Sequence, residues 1–359
     1  METYETIPRE GNMARKISIF ALSALVALAS ITSAMAKTTL NYSHYGPDRG
    51  TDAEILHQFA QEIDTGTAGE VQVRITFGGA LLSTQETARG VGSRVADMGT
   101  FIAAFNPTEF LNYLVVDLPV TPSNPWVGVR TAMDLVESDA LVKGEFDRMN
   151  LKLLANFATG PIILMCRERI DTLAAMQGEK FRIQPPHSRQ FEQFGVVSVS
   201  VSTPEVYQSL DRGYITCAQG YITSMVPYRQ YEVAKYVLEI EQGQALGYGT
   251  VINKQVFESL TSEHQAVVVD AGKKLAERFA EKAVASLKND RAALTAEHGV
   301  QFLKLSEEDQ KTLDAAAEVP LDLFREAANP QVLNHVINLA EKYQAELAAD
   351  GYPWDRVAR

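Results

Sequence analysis

Cysteine is nearly absent: only Cys166 and Cys217 occur in 359 residues. A small exported fold stapled by disulfides carries more, so stability has to come from a hydrophobic core. The two cysteines leave two readings open. They are bonded, or they are two buried small apolar residues in neighbouring strands. Enzyme signatures are also missing. There is no phosphate loop, no Gly-x-Ser-x-Gly elbow, no His-Glu-x-x-His and no Cys-x-x-Cys. Gly90-Val91-Gly92 lacks the third glycine of a dinucleotide fingerprint and reads as a helix end. The six histidines are scattered without ligand spacing, so no metal or cofactor is expected. Net positive charge is lacking too: the balance is −12. Such a chain repels nucleic acid and anionic lipid, so no nucleic-acid partner is expected. It does not steer an anion over long range either. Capture of an anion would need a local cation.

Residues 17–31 form an uncharged, mostly apolar run preceded by Arg15 and Lys16 and followed by Ala34-Met35-Ala36. A basic start, a short apolar stretch and small residues before the cut make a signal peptide, with cleavage after Ala36. The run falls short of the roughly 20 residues of a membrane span, although a retained anchor is the other reading. Met13 could itself start such a signal. No Cys stands at the cut, which argues against a lipid anchor. The expected location is the periplasm, and no later stretch approaches a membrane span.

The mature chain exceeds what one core usually covers, so two lobes are expected. Thr39–Ser43 reads as a strand, Asp52–Ile63 as a helix and Val71–Phe77, alternating with period two, as a strand. Thr84–Val91 then reads as helix and Val95–Thr100 as strand. Leu151–Phe157 and Ile162–Cys166 are apolar runs. A second series follows: Lys180–Gln184 strand, Ser188–Phe194 helix, Val196–Val201 strand, Pro204–Leu210 helix and Tyr214–Cys217 strand. Val233–Ile240 and Thr250–Ile252 are further strands. This alternation implies mainly parallel sheets. From Thr261 onward the pattern is almost all helical, with Ser306 as an N-cap before Glu307-Glu308-Asp309. No flexible linker separates the series, so strands should cross between lobes. The expected division is a signal at 1–36, one lobe at 37–160 plus about 248–287, and a second at 161–247 plus about 288–345.

Arg182 sits inside a strand of β-formers, four residues after Gly178. Its guanidinium can offer a fork of donors to a carboxylate, or it can point to water from an edge strand. Other cleft candidates come from loops at the carboxyl ends of strands, where α/β ligand sites lie. They are His44, Tyr45, Phe101, Phe105, Phe157, Tyr207 and Tyr221; each aromatic could equally be core.

Several ordered segments carry a family likeness. They include Thr67-Ala68-Gly69-Glu70-Val71, Phe77-Gly78-Gly79-Ala80-Leu81, Asp117-Leu118-Pro119, Leu173 to Ile183 with its Gly-x-Lys-x-Arg spacing, and Glu205-Val206-Tyr207-Gln208-Ser209-Leu210-Asp211-Arg212-Gly213. From Thr39 to about Lys311 the chain resembles the extracytoplasmic solute-binding subunits of TRAP transporters, dicarboxylate type. The resemblance implies a two-lobed α/β periplasmic binding protein, a Venus-flytrap clamp, with a helical C-terminal portion and no catalysis. It implies a small organic acid held by Arg182, two membrane subunits, small and large, as partners, and uptake driven by an ion gradient. A monomer is expected. A receptor of an ATP-driven importer, or an enzyme on the same fold, are the alternatives. The chain departs from relatives that bind sugar acids. No Arg follows Gly160, and Thr216-Cys217-Ala218-Gln219-Gly220 stands where they carry two acids and an Asn. An acid with an apolar or aromatic portion is therefore expected over a hydroxylated sugar acid.

Overall fold

The computed structural model describes residues 1–3, 37–119, 123–184 and 187–357. The expected signal peptide and Pro185-Pro186 lie outside them. The chain divides into Met1–Lys37 and Thr38–Arg359, and the folded body is the second unit.

Two sheets organise that body. Strands β1 (Thr38–Ser43), β2 (Val71–Thr76), β3 (Met98–Ile102) and β4 (Leu151–Asn156) enter the first. Strands β5 (Pro161–Cys166), β6 (Lys180–Arg182), β7 (Val197–Val199), β8 (Cys217–Gly220) and β9 (Tyr236–Gln244) enter the second. Strand β10 (Tyr248–Asn253) returns to the first, and β11 (Gln301–Lys304) closes the second. The orders are β2-β1-β3-β10-β4 and β11-β9-β5-β8-β6-β7.

The sheets are mixed rather than mainly parallel. The chain crosses directly from β4 to β5 and back from β9 to β10. These two paths pair antiparallel on both sides of the crossing, β10 with β4 and β5 with β9. Without a helical crossover between them, neighbouring paths can only run antiparallel. The lobes are thus joined by a two-stranded ribbon, the crossing expected from the missing linker.

Strand β5 reads Pro-Ile-Ile-Leu-Met-Cys because both its faces are covered. Ile162, Leu164 and Cys166 enter one core, Ile163 and Met165 another. That is the period-two alternation of a strand buried on both sides. Cys166 and Cys217 face each other across β5 and β8 and form a disulfide. The sequence had left that pairing open.

The helix Gly50–Gly66 buries Ile55, Leu56, Phe59 and Ile63 against the first sheet. The long helix Ser262–His298 places Val268, Leu275 and Phe279 in the first core and Leu294 in the second lobe. Gly299, at φ 66°, ends it in the left-handed conformation that glycine adopts freely. Strand β11 follows, paired with β9; the helical reading of this region missed it. Four residues between two helices give too short a period to see. The last long helix, Pro330–Asp350, packs Val332, Leu333, Val336 and Tyr343 into the first core. The expectation had grouped 288–345 with the second lobe; an amphipathic stripe does not say which lobe it covers. Strand β8 also begins later than the expected Tyr214–Cys217. It starts where Cys217 comes opposite Phe181 of β6, and Tyr214 is left exposed. Among the described residues no helix is long and apolar enough to cross a membrane.

Candidate ligand-binding cleft

A cavity of about 100 Å³ lies between the sheets, lined from the turn after β1, from β3, β5, β6, β8 and β10, and from the ribbon and the long helix. Engineered cavities of about 150 Å³ hold one benzene ring, so the space suits a compact ligand.

Arg182 ends β6 and is 4 % exposed. Its Nε donates to the Val201 carbonyl at 3.0 Å and Nη1 to the Gln219 carbonyl at 3.2 Å. Nη2 reaches Thr203 Oγ1 at 3.4 Å. These acceptors are neutral, and they fix the plane of the fork. No described carboxylate forms an ion pair with Arg182. Burial pulls its pKa below the usual arginine range, yet an Arg stays charged in proteins. The lobe therefore holds a buried cation without a counter-charge, on the wall of a cavity.

A hydroxyl chain leads from Thr100 on the cavity wall into the core. Tyr42 Oη lies 2.7 Å from Thr100 Oγ1 and 2.6 Å from Thr250 Oγ1, and His44 Nδ1 lies 2.9 Å from Thr100 Oγ1. Burial pulls the His44 pKa to about 4. Its ring is neutral at pH 7 and supplies polarity without charge. Tyr45, Tyr221 and Tyr228 line the cavity, and burial raises all three phenols. Phe157 stacks on Phe279 with centroids 3.8 Å apart, and Tyr248 meets Phe157 edge-on at 5.5 Å. Asp52 and Lys282 also line the cavity and pair with each other.

Of the sequence candidates, Arg182, His44, Tyr45, Phe157 and Tyr221 meet on this cavity. Three do not. Phe101 is 0 % exposed and packs on Phe110, Tyr113 and Phe146. In β3 alternate residues face opposite ways; Thr100 and Ile102 take the cavity side, so Phe101 cannot. Phe105 lies in the short turn after β3, half-buried and off the cavity. Tyr207 is turned away too: its hydroxyl donates to Glu232 at 2.9 Å while the preceding Val206 faces the cavity. Sequence reasoning missed Thr100, Asp117, Tyr228, Tyr248, Phe279 and Lys282. Alternation would have pointed to Thr100 in place of Phe101. Phe279 lies in the region after Thr261 that reads as helix, where nothing marks it as a cleft residue.

Known proteins share this fold. The sequence profile of DctP, bacterial extracellular solute-binding protein, family 7, matches residues 42–327. The chain belongs to that family. This family-7 protein is 22 % identical over 258 residues to a solute-binding protein of Sulfitobacter sp. strain NAS-14.1, covering 70 % of this chain and 76 % of that one. A Bordetella pertussis extracytoplasmic solute receptor binding pyroglutamic acid superposes with a TM-score of 0.72 at 22 % identity, covering 85 % and 99 % of the two chains. A marine metagenome TRAP solute-binding protein specific for aromatic acids, in complex with 3-hydroxybenzoate, gives 0.75 at 19 % identity, covering 86 % and 99 %. The family-7 protein thus has the two-lobed fold of TRAP solute-binding proteins.

Proposed function

We propose that this chain captures a compact monocarboxylate with an apolar or aromatic portion in the periplasm. It would then present the acid to the small and large membrane subunits of a TRAP transporter. The observation that carries this reading is the Arg182 guanidinium, buried on the cavity wall without a carboxylate partner among the described residues. A buried unpaired charge is costly, and an anionic ligand removes that cost. Phe157, Phe279 and Tyr248 supply apolar surface for the rest of the ligand. Relatives of the same fold bind pyroglutamic acid, 3-hydroxybenzoate, glucuronate and galacturonate, all of them acids. The small cavity favours the more compact of these, pyroglutamic acid and 3-hydroxybenzoate.

A thermal-shift screen of small organic acids tests this. An acid at about 100 times its dissociation constant adds roughly 2.7 kcal/mol. Stabilisation by compact aromatic or apolar monocarboxylates, ahead of hydroxylated sugar acids, is expected. Stabilisation by neutral or cationic solutes alone would overturn the reading.

A further inference from the structure

Five charged side chains line the cleft besides the neutral His44: Arg49, Asp52, Asp117, Arg182 and Lys282. Asp52 and Lys282 neutralise each other. Arg49 is exposed and donates to the Pro227 carbonyl at 3.4 Å. That leaves two buried charges without an opposite partner among the described residues, Arg182 and Asp117.

Asp117 is 6 % exposed. Its Oδ1 accepts the N–H groups of Leu246 and Gly247, each at 2.7 Å. Its Oδ2 accepts from no described residue. The approach is tight: a Cβ on Gly247 would stand 2.5 Å from Oδ2, so a side chain there would displace the carboxylate. Leu246 and Gly247 belong to the crossing between β9 and β10, so the acid is held in a built position beside the cavity. Burial raises its pKa to about 6, and only the two backbone donors oppose the rise. The phenol of Tyr221 stands within electrostatic reach of both unpaired charges: beyond burial, Arg182 lowers its pKa and Asp117 raises it. Both poles line the same cavity.

We infer that the ligand carries a hydrogen-bond donor, N–H or O–H, away from its carboxylate, and that Asp117 Oδ2 accepts from it. This rests on the reading of Arg182 as the carboxylate clamp. A charge-assisted bond in a dry cleft is stronger than a neutral one. A ligand without the donor leaves a buried carboxylate oxygen unsatisfied. Asp117 is in this sense a specificity residue, selecting among acids that Arg182 accepts alike.

The test compares acids that differ by one donor: benzoate with 3-hydroxybenzoate, and 5-oxotetrahydrofuran-2-carboxylate, the lactone, with pyroglutamate. Calorimetry on the wild type should favour the donor-bearing member of at least one pair by roughly 10- to 100-fold. Asp117→Asn keeps a carbonyl oxygen for Leu246 and Gly247 but presents an amide to the ligand. The preference should shrink to about threefold or less. The inference is overturned if the wild type shows no preference, a comparison that needs no variant. It is overturned equally if Asp117→Asn keeps the full preference. If the wild type binds none of the four acids, the carboxylate reading itself falls and takes this inference with it.

Discussion

Phe157 lies face to face on Phe279, ring centroids 3.8 Å apart, and so ties the first inter-lobe crossing to the long helix. Phe157 follows β4 at the start of the ribbon, and both rings line the cleft. One contact therefore serves packing and ligand surface together. Phe279→Ala is expected to lower stability by about 3–5 kcal/mol, the usual cost of removing a buried ring. It should also weaken an aromatic acid more than an aliphatic one of similar size. Denaturant unfolding and calorimetry check the two parts, and equal losses for both acids would remove the ring from the ligand's surroundings.

The Cys166–Cys217 bond links adjacent strands but spans 51 residues of chain. Closing a loop of that length in the unfolded state contributes about 2–4 kcal/mol. Melting with and without a thiol reductant should differ accordingly, and the Cys166→Ala, Cys217→Ala double variant should melt like the reduced protein. Superimposable melts of oxidised and reduced wild type would show that the bond adds nothing.

Asp117 should leave a pH signature on the ligand-free protein. Its folded pKa is raised from 3.8 to about 6, chiefly by burial. A raised pKa means its contribution is fully present below about pH 4 and is lost as pH rises through about 6. Asp117→Asn does not titrate. Its stability relative to wild type should therefore improve by about 2–3 kcal/mol between pH 4 and pH 7.5. His44 and His187, both pulled to about 4 by burial, titrate in both proteins and cancel in the difference. A difference that is flat with pH would show that the Asp117 carboxyl is not raised.

The sequence made the two strand–helix series and the crossing between them legible, because strand runs such as Ile162–Cys166 carry their burial in plain view. Arg182 was legible for the opposite reason, as a cation inside a segment of β-formers. Phe101 misled because residue type was weighed above alternation; its neighbour Thr100 holds the cavity side. Asp117 stood out only within the Asp117-Leu118-Pro119 likeness and not as a cleft residue. Its burial and its partners come from Leu246 and Gly247, more than a hundred residues away, and only the fold brings them together. Strand β11 was hidden by brevity, and the last long helix by the fact that an apolar stripe does not name its partner.

The most direct test is calorimetry with the tightest acid from the thermal screen on wild type, Arg182→Ala and Arg182→Lys. Removing the guanidinium leaves the bound carboxylate buried and unpaired, at a cost of about 3–5 kcal/mol. That is roughly two to four decades of affinity. Lysine keeps the charge but lacks the planar fork, so it should restore only part of the loss. Wild-type affinity in Arg182→Ala would contradict the account, since the buried charge would then have no role in holding the ligand.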